Sequence, residues 1–253
     1  MAEFAVITGA SAGFGEACAH LFAQKGINLI LLARRKERLE KLKESLGKFN
    51  VQIETYACDV RDENAVNEMV ESIPESITTH IRFLINNAGL AVGRGPIDTG
   101  LSDDWNRMID TNMKGLLYVT KAFVPFLKRQ KGGHIVNLGS IAGKEVYAGG
   151  NVYCASKHAV DALSKAMRID LLPYGIKVTN IAPGAAETEF SIVRFKGDTE
   201  TANAVYEGFD PLVAQDIAET IWFVISRPEH VTINDLTIMP TAQANATNFY
   251  KSV

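Results

Sequence analysis

The sequence predicts an α/β fold, a doubly wound parallel sheet of about seven strands with helices on both faces, built as a single domain over residues 1–253. Three observations lead there. Short β-branched or leucine-rich runs alternate with longer amphipathic stretches, the order that builds βαβ units. Several short runs, such as LILLA at 29–33, are apolar throughout, as strands covered on both faces are. A cluster of glycines sits at the turn between the first strand and the first helix, where such sheets bind ligands.

Taken in order, strands are expected at Phe4–Thr8, Asn28–Ala33, Val51–Ala57, Arg82–Asn86, His134–Leu138, Lys177–Ile181 and Thr232–Met239. Helical patterns fall between them at Gly13–Lys25, Lys36–Leu46, Glu63–Ser72, Ser102–Lys131, Val152–Leu172 and Pro211–Ser226. The stretch from about 185 to 210 has weak periodicity and reads as a loop-plus-helix insertion beside the ligand edge, a natural lid. No Pro/Gly/Ser-rich linker and no internal repeat divides the chain.

Composition narrows the function. With 26 basic and 29 acidic residues the formal charge is -3, which gives no nucleic-acid footprint. No apolar run approaches a membrane span, and the opening MAEFAVITGASAG reads as a strand entering a loop rather than a signal peptide. The three cysteines, Cys18, Cys58 and Cys154, have neither metal-ligand spacing nor an even count for a disulfide framework. The expectation is a soluble, reduced, cytoplasmic protein without a metal.

The glycine loop TGASAGFG places Gly9, Ser11, Ala12, Gly13, Phe14 and Gly15 between strand and helix. Glycines allow a tight turn and close backbone approach to a diphosphate, and the helix N-terminus behind them favours an anion. The spacing is G-x-x-x-G-x-G rather than the commoner G-x-G-x-x-G, and a plain glycine-rich turn is the alternative, but the place of the loop at the first strand-to-helix turn points to a dinucleotide site of Rossmann type. An NAD site would carry an acidic residue about 20 positions further on, for the ribose 2′-hydroxyl. That place holds Ala33, Arg34 and Arg35 instead. Two guanidiniums suit a 2′-phosphate, and basic charge at a helix start opposes the helix dipole unless a ligand uses it. NADP is therefore expected over NAD.

Tyr153 and Lys157, in NVYCASKHAV, lie four apart on one face of an expected helix. Alone, such a pair is usually a solvated face. Three further pieces change its weight: FLINNAGL at a strand end, VNLGSIAG with Ser140 at the next, and Asn112 in DTNMKG, a poor helix former inside a long helix. With the glycine loop and a later Pro183–Gly184, the ordered set resembles the short-chain dehydrogenase/reductase family over essentially the whole chain. The resemblance implies a catalytic tetrad of Asn112, Ser140, Tyr153 and Lys157. Tyr153 would exchange the hydroxyl proton. The ammonium of Lys157 and the oxidised nicotinamide would lower a phenol pKa that is ordinarily about 10. Lys157 would also bond the nicotinamide ribose, Ser140 would polarise the substrate oxygen, and Asn112 would anchor a water on the proton path.

The resemblance further assigns Asp59 and Val60 to the adenine ring, with helix N-capping as a second use of Asp59. Asn87, Ala88 and Gly89 would follow the ribose and nicotinamide, and Pro183, Gly184, Ala186 and Thr188 the carboxamide and diphosphate. Stretches including NNAGLAVG, YAGGNVY and TEFSIVRFKGD resemble the NADP-dependent branch acting on 3-hydroxy acids such as L-allo-threonine, L-serine and 3-hydroxypropionate. A carboxylate substrate wants a cation. Arg194, Lys196 and Arg94 are the candidates, and Arg194 is preferred against a plain pairing with Glu189 or Asp198. Gly149 and Gly150 either make room for substrate or end a loop. The alternatives are a 3-oxoacyl-carrier-protein reductase, a general carbonyl reductase, or a non-catalytic NADP sensor. The resemblance implies a homotetramer packed through the two long helices, and ATNFYKSV would reach a neighbour or fray.

Overall fold

The computed structural model describes residues 3–130 and 132–252. Seven strands form one parallel sheet in the order β3-β2-β1-β4-β5-β6-β7: β1 (Phe4–Thr8), β2 (Asn28–Ala33), β3 (Ile53–Ala57), β4 (Ile81–Asn86), β5 (Gly133–Leu138), β6 (Ile176–Pro183) and β7 (Asp235–Ile238). The expected fold class and strand number are both observed. The boundaries differ by a few residues at strand ends, where pairing rather than apolarity decides. β6 runs on to Pro183 because β7 continues to pair with it there.

The sheet is two-sided because its strands alternate sides at every residue. Ala5, Ile7, Leu29 and Leu31 pack against α1 (Gly13–Gln24), α2 (Lys36–Leu46) and α10 (Ala214–Ile225). Phe4, Val6, Ile30 and Leu32 pack against α3 (Glu63–Glu71), α6 (Leu116–Arg129) and α7 (Asn151–Asp170). At roughly 1.5–3 kcal/mol per fully buried Leu or Ile, these two apolar layers hold the sheet between its helices.

The expected helix Ser102–Lys131 is interrupted, and its last residue, Lys131, lies outside the described residues. α5 (Ser102–Ile109) passes into a π-turn over Asp110–Gly115 before α6 begins. Asn112 sits inside that turn and Gly115 closes it, with Val60 packed against the glycine. A short α4 (Glu75–Thr78) lies before β4. The insertion after β6 holds two short helices, α8 (Glu189–Arg194) and α9 (Thr199–Ala204). Among the described residues no helix is long and apolar enough to cross a membrane.

The strand order reverses between β1 and β4, so their carboxyl ends open a crevice. Thr8 ties the two ends together. Its hydroxyl donates to the Ile85 carbonyl at 3.3 Å and accepts from the amides of Asn87 (3.0 Å) and Ala88 (2.9 Å). The tail from Ala242 folds back over its own chain. Tyr250 N–H bonds to the Ala242 carbonyl, Ser252 N–H to the Gly208 carbonyl, and Phe249 meets Phe209.

Candidate active site

A cavity of about 920 Å³ opens at the reversal point and runs from Arg34 and Arg35 to Tyr153 and the insertion after β6. It is lined by nearly every expected residue: Gly9, Ser11, Ala12, Gly13 and Phe14, then Asp59 and Val60, Asn87 to Gly89, Ser140, Tyr153 and Lys157, and Pro183, Gly184, Ala186, Thr188 and Arg194. Gly15 and Asn112 stand behind that lining.

The glycine loop is shaped for a ligand. Gly9 and Gly13 take φ values of +65° and +57°, which side-chain-bearing residues rarely adopt. A Cβ on Gly15 would lie 2.5 Å from the Gly9 carbonyl and 2.6 Å from Asn87 Nδ2. Asn87 therefore serves the loop, donating from Nδ2 to the carbonyls of Thr8 (2.8 Å) and Gly9 (3.3 Å). Ala12, at the N-cap of α1, offers no side-chain acceptor. The first amides of that helix are thus left for an anion, and a dinucleotide diphosphate fits this cradle.

At the end of the cavity beside β2, Arg35 Nη2 donates to Ser11 Oγ at 3.3 Å. Arg35 and Arg38 also reach Glu189 at the start of α8, Arg38 at 2.7 and 2.9 Å and Arg35 at 3.4 and 3.5 Å. Those partners are about 150 residues apart in sequence, so no local signal marked Arg38 or Glu189. Asp59 does not cap a helix. It grips Arg61 through both carboxylate oxygens, at 2.6 to 3.0 Å, and the cap of α3 is Asp62, which accepts from the amides of Asn64 and Ala65. An N-cap side chain accepts from amides two or three residues on, and Asp59 stands too far before Asn64 and Ala65 to do so. Burial alone would raise the Asp59 pKa, but its bonds to Arg61 and the charge of Arg34 bring it below the ordinary carboxylate value.

At the other end, β5 and α7 bring Ser140, Tyr153 and Lys157 to one wall. Ser140 leaves β5 in extended conformation and accepts from the Ala142 amide at 3.1 Å, which turns the chain toward α7. Lys157 is 6% exposed and donates from Nζ to the Leu138 carbonyl at 2.7 Å. Burial pulls its pKa down to about 8. Tyr153 is 8% exposed, and burial, reinforced by Tyr147, pushes its phenol above the ordinary value while Ser140 and Arg194 pull it down. Asn112 is 2% exposed and spends its amide on the protein. Oδ1 accepts from Leu90 N–H at 2.8 Å, and Nδ2 donates to the Leu90 carbonyl at 2.8 Å and to Ser156 Oγ at 3.0 Å. A Cβ at Gly89 would meet Asn112 Oδ1 at 3.2 Å and Lys157 Nζ at 3.4 Å, so these three residues converge. Behind the wall, Lys144 joins Asp161 of α7 to Asp235 of β7 at 2.5 and 2.6 Å.

The three basic candidates for an acidic substrate separate. Lys196 takes a left-handed φ of 56° and pairs with Asp104 at 2.7 Å, which removes it from the cavity. Arg94 is exposed and 6.0 Å from the Tyr147 ring centre. Arg194 pairs with neither Glu189, which is held by Arg38, nor Asp198, which caps α9 through the Thr201 amide. It donates to the Tyr147 hydroxyl at 2.8 Å and lies 5.7 Å from the Tyr153 ring centre. Among the described residues its buried Nε has no partner. Gly150 makes room for the Tyr147 ring itself, against which a Cβ would collide. Tyr147 and Phe190, which tilts against the Tyr153 ring at 5.7 Å, were not singled out from sequence. Among the described residues no group of His, Cys, Asp and Glu could hold a metal ion.

The chain is 46% identical to sulfoacetaldehyde reductase 2 of Chromohalobacter salexigens over 245 residues, 96% of each chain. It is 45% identical to the NADP-dependent 3-hydroxy acid dehydrogenase YdfG of Escherichia coli K12 over 242 residues, 95% of this chain and 96% of the other. The closed form of a serine dehydrogenase complexed with NADP+ superimposes with a TM-score of 0.91 at 44% identity, covering 98% of this chain and 99% of that one. The profile of the short chain dehydrogenases matches residues 3–198, and the chain belongs to that family.

Proposed function

We propose that the protein is an NADP-dependent oxidoreductase that interconverts a small 3-hydroxy acid and its 3-oxo acid or semialdehyde. The observation that carries the substrate class is Arg194: a half-buried guanidinium beside Tyr153 with no acidic partner among the described residues. A cation so placed would hold a substrate carboxylate within reach of the phenol.

Bound NADP would supply hydride transfer at its nicotinamide. The chain's own residues do the rest. Ser140 holds the substrate oxygen. Tyr153 accepts the hydroxyl proton at its phenolic oxygen in oxidation and returns it in reduction. The raised phenol pKa keeps the proton on Tyr153 until positive charge approaches, and Lys157, one turn along α7 with a pKa near 8, would supply that charge when protonated. Tyr147 and Phe190 pack in the apolar cluster around Tyr153. Arg34, Arg35 and Ser11 would bind the 2′-phosphate, and residues 185–210 would act as the lid. Exposed Leu117 and Ile169, on α6 and α7, suit the expected tetramer. Light scattering would then read four times 27.6 kDa.

A second reading has its own support. Two sulfoacetaldehyde reductases of Chromohalobacter salexigens are 46% and 47% identical to this chain. A sulfonate presents the same negative charge to Arg194 that a carboxylate does. The test is initial rates with NADP+ and NAD+ on L-allo-threonine, L-serine, D-threonine, 3-hydroxypropionate and a plain secondary alcohol, with sulfoacetaldehyde plus NADPH in the reverse direction. NADP-dependent turnover of acids but not of the plain alcohol supports the reading. Turnover of neutral compounds alone would leave a general carbonyl reductase.

A further inference from the structure

Arg35, one of the two arginines expected to hold the 2′-phosphate, is already engaged, and so is its neighbour on the helix, Arg38. Arg35 forms the N-cap of α2 and Arg38 lies in its first turn, so both charges oppose the helix dipole. Glu189 answers them from the first residue of α8. Its carboxylate takes Arg38 Nη1 with both oxygens and shares one oxygen with Arg35. These cations hold the Glu189 pKa below its ordinary value, with the bond to Arg38 the largest cause, so the group is anionic at neutral pH. Arg35 reaches Ser11 with the same terminal nitrogen that reaches Glu189. The guanidinium therefore stands between the hydroxyl of the glycine loop and the carboxylate of α8.

We propose that Glu189 tempers the preference for NADP over NAD by competing with the 2′-phosphate for the Arg35–Arg38 pair. This rests on the NADP reading given above. A 2′-phosphate and a carboxylate are both acceptor-only anions, and one guanidinium fork cannot serve both at full strength. NAD lacks the phosphate and leaves the clasp undisturbed. Glu189 is thus a specificity-determining residue acting against the favoured cofactor, and the benefit it returns is a tie between the lid and the adenine end.

Glu189 can be changed without loosening α8. Thr188 caps that helix through the Phe190 amide, Ser191 donates to Tyr206, and Tyr206 donates in turn to the Ala186 carbonyl. Lys196–Asp104 and the bond from Gly93 N–H to the Arg194 carbonyl hold the far end.

The experiment is calorimetric titration of wild type, Glu189→Gln and Glu189→Asp with adenosine 2′,5′-bisphosphate and with adenosine 5′-monophosphate. These probes read the adenine end without turnover. Glu189→Gln should bind the bisphosphate about fivefold tighter, as expected for loss of one partly exposed competing charge, and leave the monophosphate within about twofold. Glu189→Asp keeps the charge and should stay within about twofold of wild type for both. An unchanged or reduced bisphosphate-to-monophosphate ratio in Glu189→Gln would overturn the role of Glu189. Equal binding of the two probes by wild type would instead overturn the NADP reading, and this inference with it.

Discussion

Replacing Asn112 with alanine separates two uses of that residue. Its side chain pairs both backbone groups of Leu90, itself 7% exposed, and also reaches Ser156. Alanine would leave the Leu90 amide and carbonyl buried without partners, each at about 1–3 kcal/mol. Ser156 keeps its own bond to the Tyr153 carbonyl, so it adds little. With partial relaxation the sum is about 3 kcal/mol, which for a chain of this size lowers Tm by about 10 °C. Calorimetry at fixed protomer concentration measures it. NADP+ affinity should fall as well, because Leu90 continues the Asn87–Gly89 segment that lines the cavity. A Tm within about 2 °C of wild type, combined with a large loss of turnover, would refute the clamp and leave the proton path as the role of Asn112.

Four other outcomes are expected. Tyr153→Phe should cut kcat by about 10²–10⁴-fold while NADP+ binding stays close to wild type, whereas a pure sensor would have no turnover to lose. Arg194→Ala should raise KM for a hydroxy acid by about 10–100-fold and leave a neutral alcohol unaffected, and equal loss on both would remove the carboxylate clamp. Gly15→Ala forces a Cβ against the Gly9 carbonyl and Ala10 Cα, so it should cost about 1–3 kcal/mol in urea unfolding and weaken NADP+ binding. His134 is buried, and its pKa is lowered from 6.5 to about 3 by burial and then by Lys177. Below pH 6.5 the unfolded chain takes the proton and the folded one does not, so stability is full above 6.5 and falls with pH. Between pH 6.5 and 5 the loss is about 2 kcal/mol, which His134→Gln should abolish in pH-dependent urea titrations.

The parts of this molecule that local chemistry dictates were legible in its sequence. LILLA reads as a buried strand because every residue faces one apolar layer or the other. The glycine loop reads as a cradle because its backbone needs positive φ at Gly9 and Gly13. The π-turn gave only the misplaced Asn112 as a hint, since a one-residue insertion in a helix hardly alters its apolar period. Asp59 and Asp62 both precede α3, and only the path of the chain decides which one caps it. Arg38–Glu189 and Arg194–Tyr147 are long-range pairs made by the insertion after β6, so neither period nor spacing could announce them.

The hydroxyl of Thr8 has a consequence for how a two-part ligand is received. One oxygen fixes the end of β1 to the segment leaving β4, and Asn87 returns the tie to the glycine loop. If the two halves of the crevice move as one rail, a fragment that settles at the Arg35 end should also still the Tyr153 end, so that the entropy of ordering is lost once rather than twice. Two separate fragments should each bind better in the presence of the other, and Thr8→Val, which keeps the shape and removes the oxygen, should make them independent.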